Sequence, residues 1–415
     1  MAGFGSVQKT GKYSWKLVVA GGFDANNKRI RHTRTIKVNS DDPKKQEKEA
    51  NQQLAIFVAE IEKGQVITNR KLTFAEFIVL WLRDHAEKHL APKTLFRYKQ
   101  MLDSRITPAL GKLKLEAIKP NHLLSFYSNL AEPGIKKIPQ KKLKENEEPP
   151  EPQGLSERTI LHHHRLIHTI LESAVQWLYI VNNPASRVKA PKVQKTSATV
   201  YDQEQTSALL EAMTNEPFKY QVIILLAIAT GMRQGEIMGL TWKHINFDSN
   251  SIQVQQAAQY LPGQGVFLKD PKNETSKRTI SVPPSVMDTL KQYKKHQAEE
   301  RLKLGDKWKA SDMLFTSWDG RPMYPNEMSS WFPKFLKRHN LPHLPFHGLR
   351  HTSATLLIAE GLTATDLSRR LGHSTTSTTM NIYAHSLQKA DEAAAQKMNN
   401  ILTGSNKKAQ KDQAN

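Results

Sequence analysis

Arg233 stands in ATGMRQGEIMGLTW, directly after an almost wholly apolar run and at a glycine-marked break. A guanidinium at the end of a buried element needs an anion, and Glu236, three residues on, can orient it from the next helical turn. Farther along, HGLRHTSATLLIAEG sets His347 and Arg350 three apart, on one helical face, where both reach the same phosphate. LGHSTTSTTMNIYAH then places His373 ten residues before Tyr383, with a Ser/Thr-rich stretch between them. Taken singly, each piece reads as a structural ion pair or a surface feature. Together, two arginines, two histidines and a tyrosine in this order are hard to explain as packing.

Several elements must hold these groups, and the chain is long enough to supply them. At 415 residues it exceeds one ordinary core, so two or three domains are expected. Its 60 Lys+Arg against 39 Asp+Glu give a formal charge of +21, a field that draws polyanions, with nucleic acid the leading partner over a mere aid to solubility. The lack of cysteine excludes disulfides, thiolate zinc sites and thiol catalysis, and fits a reducing cytosol. MAGFGSVQKTGKYSW has no apolar signal core, and the most apolar stretch, Val222 to Ala229, is too short to span a bilayer. The expectation is a soluble cytoplasmic protein with no membrane association.

Residues 1–64 read as a small sheet followed by one helix. Strands are expected over Tyr13 to Val19 and Arg29 to Val38, joined by the turn-rich GGFDANNK. In the second strand Ile30, Ile36 and Val38 share one parity, while Arg29, Arg31, Thr33, Thr35 and Lys37 share the other, giving a buried face and a basic face. After Pro43, Ala50, Leu54, Phe57, Val58 and Ile61 recur at helical spacing, enough to cover the apolar side. A sheet with a free basic face can enter a major groove, although an ordinary solvated face is the plainer alternative.

Residues 72–188 turn helical, with one stripe of Phe74, Phe77, Ile78 and Trp81 and another of Leu95, Tyr98, Leu102 and Ile106. Between Pro133 and Pro152 the charged, proline-rich IKKIPQKKLKENEEP is expected to be a flexible loop. The cluster His162, His163, His164 and His168 suggests metal, since His164 and His168 are four apart, but no carboxylate stands at a matching turn. A helix surface near phosphate is the preferred reading of these histidines. SRVKAPKVQKTSAT looks like a linker. Residues 200–402 hold the buried-looking helix FKYQVIILLAIATGM, a strand-rich region from Ile252 to Val282, and an amphipathic stretch after Tyr383; residues 403–415 are expected to be disordered.

The series Arg233, His347-x-x-Arg350, His373 within LGH, and Tyr383 resembles the tyrosine recombinase (phage integrase) family. The match is close over the C-terminal half and looser from Leu72. Residues 1–64 resemble the arm-site-binding domain of integrases from phages and integrative conjugative elements. The insert between Pro133 and Pro152 departs from the family's core-binding pattern.

The resemblance implies a multidomain α+β protein: an N-terminal sheet-plus-helix arm-binding domain, an all-α core-binding domain, and a mainly α catalytic domain with a small antiparallel sheet. It implies a site-specific recombinase that cleaves and rejoins double-stranded DNA, at core and arm attachment sites, through a 3′-phosphotyrosyl bond to Tyr383. Arg233 and Arg350 would stabilise the charge that builds up on the attacked phosphate, His373 would add a hydrogen bond, and His347 would help accept the tyrosine proton. The proton for the leaving 5′ oxygen comes in the family from a lysine on a β-hairpin. In VFLKDPKNETSKRTISV, Lys269, Lys272 and Lys277 compete, and Lys272 is preferred because it precedes the basic-Thr-Ile segment at the family's distance.

Further implications are a homotetramer on DNA, with the tail after Tyr383 docking on a neighbour, and accessory proteins that bend DNA or favour excision. Lys93, Arg97 and Lys99 are plausible core-site contacts. No P-loop or two-metal carboxylate cluster stands out, so neither a cofactor nor a metal is expected. Two competing readings stand beside it: a type IB topoisomerase-like enzyme, which shares this chemistry but relaxes one duplex and against which the separate N-terminal domain argues, and a DNA-binding regulator that keeps the fold without catalysis.

Overall fold

The computed structural model describes residues 5–23, 29–62, 72–136, 151–194, 199–270 and 277–402. The chain divides into two compact units at Gln194/Lys195, inside the stretch read as a linker.

In the first unit, strands β1 (Gly5–Lys9), β2 (Ser14–Phe23) and β3 (Arg29–Lys37) form an antiparallel sheet in that order. Alternation buries Trp15, Leu17 and Val19 of β2 on one face. Helix α1 (Pro43–Glu62) covers that face with Ala50 and Phe57. The register sets Trp15 opposite Ile36 and Leu17 opposite Arg34. Arg34 therefore lies on the helix side, its guanidinium 4.3 Å from the centre of the Phe57 ring. On the other face Arg31, Thr35 and Lys37 are exposed, as their parity requires. β1 escaped the sequence reading because GSVQK carries a single aliphatic residue, and its place is set by pairing Val7 with Leu17 rather than by its own pattern.

The helical part of this unit starts at a capping box, in which the Thr73 hydroxyl accepts from the Glu76 amide and the Glu76 carboxylate accepts from the Thr73 amide. Helix α2 (Phe74–Trp81) then buries its whole stripe, Phe74, Phe77, Ile78 and Trp81. It packs on α5 (Glu157–Gln176), where the Trp81 indole donates to Ser173 at 3.1 Å. α3 (Pro92–Met101) runs into a π-turn over Leu102–Ile106, which sinks Leu102 and Ile106 into the same core. α4 (Pro120–Ala131) closes the packing.

The histidine cluster corrects the surface reading. His163 and His164 are buried on α5, where they share the core-facing side of the helix with Ile160 and Ile167. His164 Nδ1 lies 3.1 Å from the Tyr127 hydroxyl, His163 Nδ1 2.8 Å from the Thr159 carbonyl, and His168 Nε2 3.1 Å from Ser186. Most of the insert, residues 137–150, lies outside the described residues, as does the tail from 403.

In the second unit, α6 (Gln203–Ala212) leads to α7 (Phe218–Thr230), whose Val222, Ile223, Ile224, Leu226 and Ala227 form the centre of the core. A short α8 (Gln234–Met238) follows. Strands β4 (Ile245–Asn246), β5 (Ser251–Val254) and β8 (Arg278–Ser281) form one antiparallel sheet, while β6 (Ala257–Leu261) and β7 (Gly265–Lys269) form a separate hairpin. The single small sheet expected from sequence is thus two. α9 (Pro284–Leu304), α10 (Glu327–Arg338), α11 (Gly348–Ala359), α12 (Ala364–Leu371) and α13 (Thr376–Leu402) complete the unit. Among the described residues no helix is long and apolar enough to cross a membrane.

Candidate active site

Two helix ends hold the arginines. α7 stops at Gly231 and α12 at Gly372, both in the left-handed region with φ of 64° and 68°. A Cβ would lie 2.7 Å from Leu371 Cδ2 at the first position and 2.8 Å from Arg278 Nη1 at the second, so a larger residue would displace these neighbours as well as strain the backbone. The carbonyls at these ends carry the negative pole of their helices and have no acceptor role within them. Arg350 uses two of them, donating from Nη1 to Gly231 at 2.7 Å and from Nη2 to Leu371 at 2.8 Å. Arg233 Nη2 donates to Gly372 at 3.0 Å. Both guanidiniums are thereby tied to the end of α12, and Arg350 to that of α7 as well, although 117 positions separate them in sequence (350 − 233).

Arg233 caps α8, and Glu236 one turn later accepts both its backbone amide, at 3.0 Å, and Nη1, at 2.7 Å. Arg278 of β8 donates from Nη2 to Glu236 Oε2, the oxygen that also accepts the Arg233 amide, at 2.8 Å and from Nε to the Arg370 carbonyl at 2.7 Å. Burial raises the Glu236 pKa, but the hydrogen bond and charge of Arg278, with those of Arg233, outweigh it and hold the carboxyl below its ordinary value. Arg350 is only 3% exposed and forms no ion pair among the described residues. Burial, then the charge of Arg233, pushes its pKa down to about 10, so it stays protonated at neutral pH. Its remaining N–H groups have no partner among the described residues, which leaves donors for a bound anion.

His347 sits at the N-terminus of α11, ahead of Arg350 on the same helix. It is partly open to solvent, yet desolvation and then the charges of Arg350 and Arg233 lower its pKa. His373, just past the α12 stop, has Nδ1 2.7 Å from the buried Thr379 hydroxyl. Its pKa is pushed down to about 4, by burial first and then by Arg350 and Arg233. Tyr383 is 3% exposed and breaks the regularity of α13 with φ −111° and ψ 17°. Burial pushes its phenol up to about 12, with Arg350 working in the opposite direction. Its hydroxyl lies 2.9 Å from Nδ1 of His351. Thus Arg233, Glu236, His347, Arg350, His373 and Tyr383, expected from the sequence, meet around two glycine-terminated helices.

The phage integrase family model matches residues 199–390, and the model of the phage integrase N-terminal SAM-like domain matches residues 73–131. The chain is a tyrosine recombinase of the phage integrase family. A XerC-like tyrosine recombinase of Caldanaerobacter subterraneus subsp. tengcongensis is 27% identical to this recombinase over 413 residues, covering 95% of this chain and 98% of that protein. Among solved structures, the Tn1549 transposon integrase in complex with transposon right end DNA shares its fold, with a TM-score of 0.61 at 21% identity over 79% of this chain and 99% of that one. A lambda integrase tetramer bound to a Holliday junction matches with a TM-score of 0.51 at 15% identity, covering 89% and 92%.

Other expected residues of the recombinase fall elsewhere. Lys272 lies outside the described residues; Lys269 is the last residue of β7, and Lys277 immediately precedes β8. In the first unit, Arg31 and Lys37 are exposed on β3, whose backbone also includes Arg29. Lys93 and Arg97 are exposed one turn apart on α3, whereas Lys99 is paired with Glu87 at 2.6 Å. Two residues at the site were missed by the sequence reading. His351 carried a signal, being four residues after His347 on the same face. Arg278 carried less, since a basic residue at the start of a strand is common.

Proposed function

We propose that the recombinase is a site-specific integrase that moves a mobile element by cleaving and resealing double-stranded DNA through a 3′-phosphotyrosyl bond to Tyr383. The observation that carries this reading is the meeting of the Tyr383 hydroxyl with the helix that bears Arg350, at 2.9 Å from the adjacent residue, His351. Attack on a phosphodiester places extra negative charge on its non-bridging oxygens. Donors fixed beforehand stabilise that charge more than the ground state, and Arg233 and Arg350 are fixed by carbonyls and a carboxylate that do not change during the reaction. His373 and His347 add hydrogen bonds in the same region. Lys272 protonates the leaving 5′ oxygen. The phosphotyrosyl bond retains the energy of the broken ester, so resealing needs no nucleotide.

The chain acts as three functional parts. Residues 1–64 bind arm-type DNA sites through Arg29, Arg31 and Lys37; residues 72–188 bind core sites, with Lys93 and Arg97 on phosphates; residues 200–402 carry the chemistry. Separate apolar clusters in the sheet-plus-helix, the helical part and the second unit support this division. Lys99 is a weaker DNA contact because Glu87 already neutralises it. Four protomers act on two DNA sites in the cytoplasm, with accessory DNA-bending proteins; the fold likeness to the lambda integrase tetramer supports the assembly.

The test is a duplex spanning one end of the element that carries the coding sequence, nicked so that cleavage traps the covalent complex. Wild type is expected to give a protein–DNA adduct on a denaturing gel. Tyr383→Phe is expected to bind the duplex equally and give none. A persistent adduct in Tyr383→Phe would remove Tyr383 from the reaction.

A further inference from the structure

The sequence points to His347 as the acceptor of the tyrosine proton, but the hydroxyl of Tyr383 lies against a different ring. His351 Nδ1 stands 2.9 Å from the Tyr383 oxygen, with the two ring centres 5.7 Å apart. His347 packs edge-on against His351 at 5.1 Å between ring centres, and has no hydrogen bond to Tyr383 among the described residues. The contact is made at the one position where α13 departs from helical geometry, so the backbone kink and the hydrogen bond fix the phenol together. His351 completes the first turn of α11, a helix that packs against both α7 and α13, whereas His347 is its N-cap.

We propose that His351 is the catalytic base of the cleavage step, taking the Tyr383 proton on Nδ1 as the phenol oxygen attacks phosphorus. This rests on Tyr383 being the nucleophile. The Tyr383 O–H bond breaks and its proton moves to the Nδ1 lone pair. The oxygen forms the P–O bond, the P–O5′ bond breaks, and the 5′ oxygen takes a proton from the lysine of the β7–β8 connection. The imidazolium returns its proton to Tyr383 when the strand is resealed.

The electrostatics suit this role. Among the described residues, the charged and titratable groups facing His351 are His347 and Arg350 on its own helix, Tyr383 on α13, and His373 in the turn after α12. Burial first, then His347 and Arg350, pushes its pKa down to about 4. The ring is therefore neutral at physiological pH, with Nδ1 able to accept when the ring proton is on Nε2. A phosphodiester held by Arg350 and Arg233 brings negative charge beside the ring, which favours the imidazolium and raises its basicity when substrate is bound.

The experiment compares single-turnover cleavage of the nicked duplex by full-length wild type, His351→Gln, His351→Ala, His347→Gln and Tyr383→Phe from pH 5.5 to 9.5. Binding to the same duplex and thermal unfolding are measured alongside. Gln preserves a hydrogen-bond acceptor for the phenol but cannot take its proton. His351→Gln is expected to fold and bind as wild type yet cleave slower by about 10² to 10⁴, as for a lost general base. Its rate should rise about tenfold per pH unit where wild type is flat, because hydroxide must then take the proton. Added imidazole should restore part of the His351→Ala rate. A flat profile and near wild-type rate for His351→Gln, or the rising profile in His347→Gln instead, would overturn the proposal. Those results leave the nucleophile intact so long as Tyr383→Phe gives no adduct; an adduct from Tyr383→Phe would overturn the nucleophile itself.

Discussion

Arg278 donates to the Glu236 carboxylate at 2.8 Å, with both side chains less than a tenth exposed. Since Glu236 also holds Arg233, the position of the Arg233 guanidinium depends on the buried Arg278–Glu236 pair. Removing one partner of a buried pair strands the other charge, so Glu236→Ala should cost about 3–5 kcal/mol of stability, and Glu236→Gln less, because the amide keeps an acceptor. Denaturant unfolding of the two variants checks the order. A pH arm isolates the ionic part. The Glu236 pKa is depressed in the folded state, so its stabilisation is present above the unfolded value of about 4.3 and is lost as pH falls through the lower folded value. Wild type should therefore lose stability over that acidic range by more than Glu236→Gln does.

The general acid is distinguishable by chemistry. A 5′-bridging sulfur leaves as a thiolate without help, because thiols have pKa values near about 8.5. Lys272→Ala should cleave the ordinary duplex slower by about 10² to 10⁴ and recover most of its rate on the thio-substrate, whereas Arg233→Ala should stay slow on both. Rates for Lys269→Ala and Lys277→Ala on the two substrates complete the comparison. Rescue confined to one of those would move the proton donor to that end of the connection.

Cleavage should proceed unchanged in EDTA and without nucleotide, since Arg233 and Arg350 are positioned to balance the phosphate charge. Adduct yield with and without chelator is the readout. Dependence on added magnesium would show that the arginines do not suffice.

Reversing charge at Arg31 and Lys37 should weaken binding to arm-type DNA while sparing core-site cleavage, because both lie exposed on the face of the sheet away from α1. Each lost phosphate contact should reduce the slope of log affinity against log salt by about one. Footprints over the whole attachment region, with unchanged protection of arm sites in the variant, would exclude that face as the reader.

The sequence by itself determined the kind of enzyme and brought forward most of the residues that meet at the candidate site. Arg233, His347, Arg350, His373 and Tyr383 were legible because each lies in a short stretch whose own spacing fixes its local geometry: a glycine stop, an i, i+3 pair, a turn before a helix. The buried stripe of α2 and the alternation in β3 were legible for the same reason, since helix and strand periods are local properties. What only the tertiary structure decided depends on residues far apart in the chain. β1 finds its place through a partner strand, and His163 and His164 become core residues because Tyr127 and the helices around them surround that side of α5. Arg278 reaches Glu236 only because β8 packs on α12, where the Arg370 carbonyl also accepts from Arg278, and His351 reaches Tyr383 only because α11 and α13 pack together. A hydrogen bond between positions 351 and 383 leaves no periodic trace in either segment. Residue types and local spacing announced a phosphate-handling tyrosine, and long-range packing selected which histidine touches it.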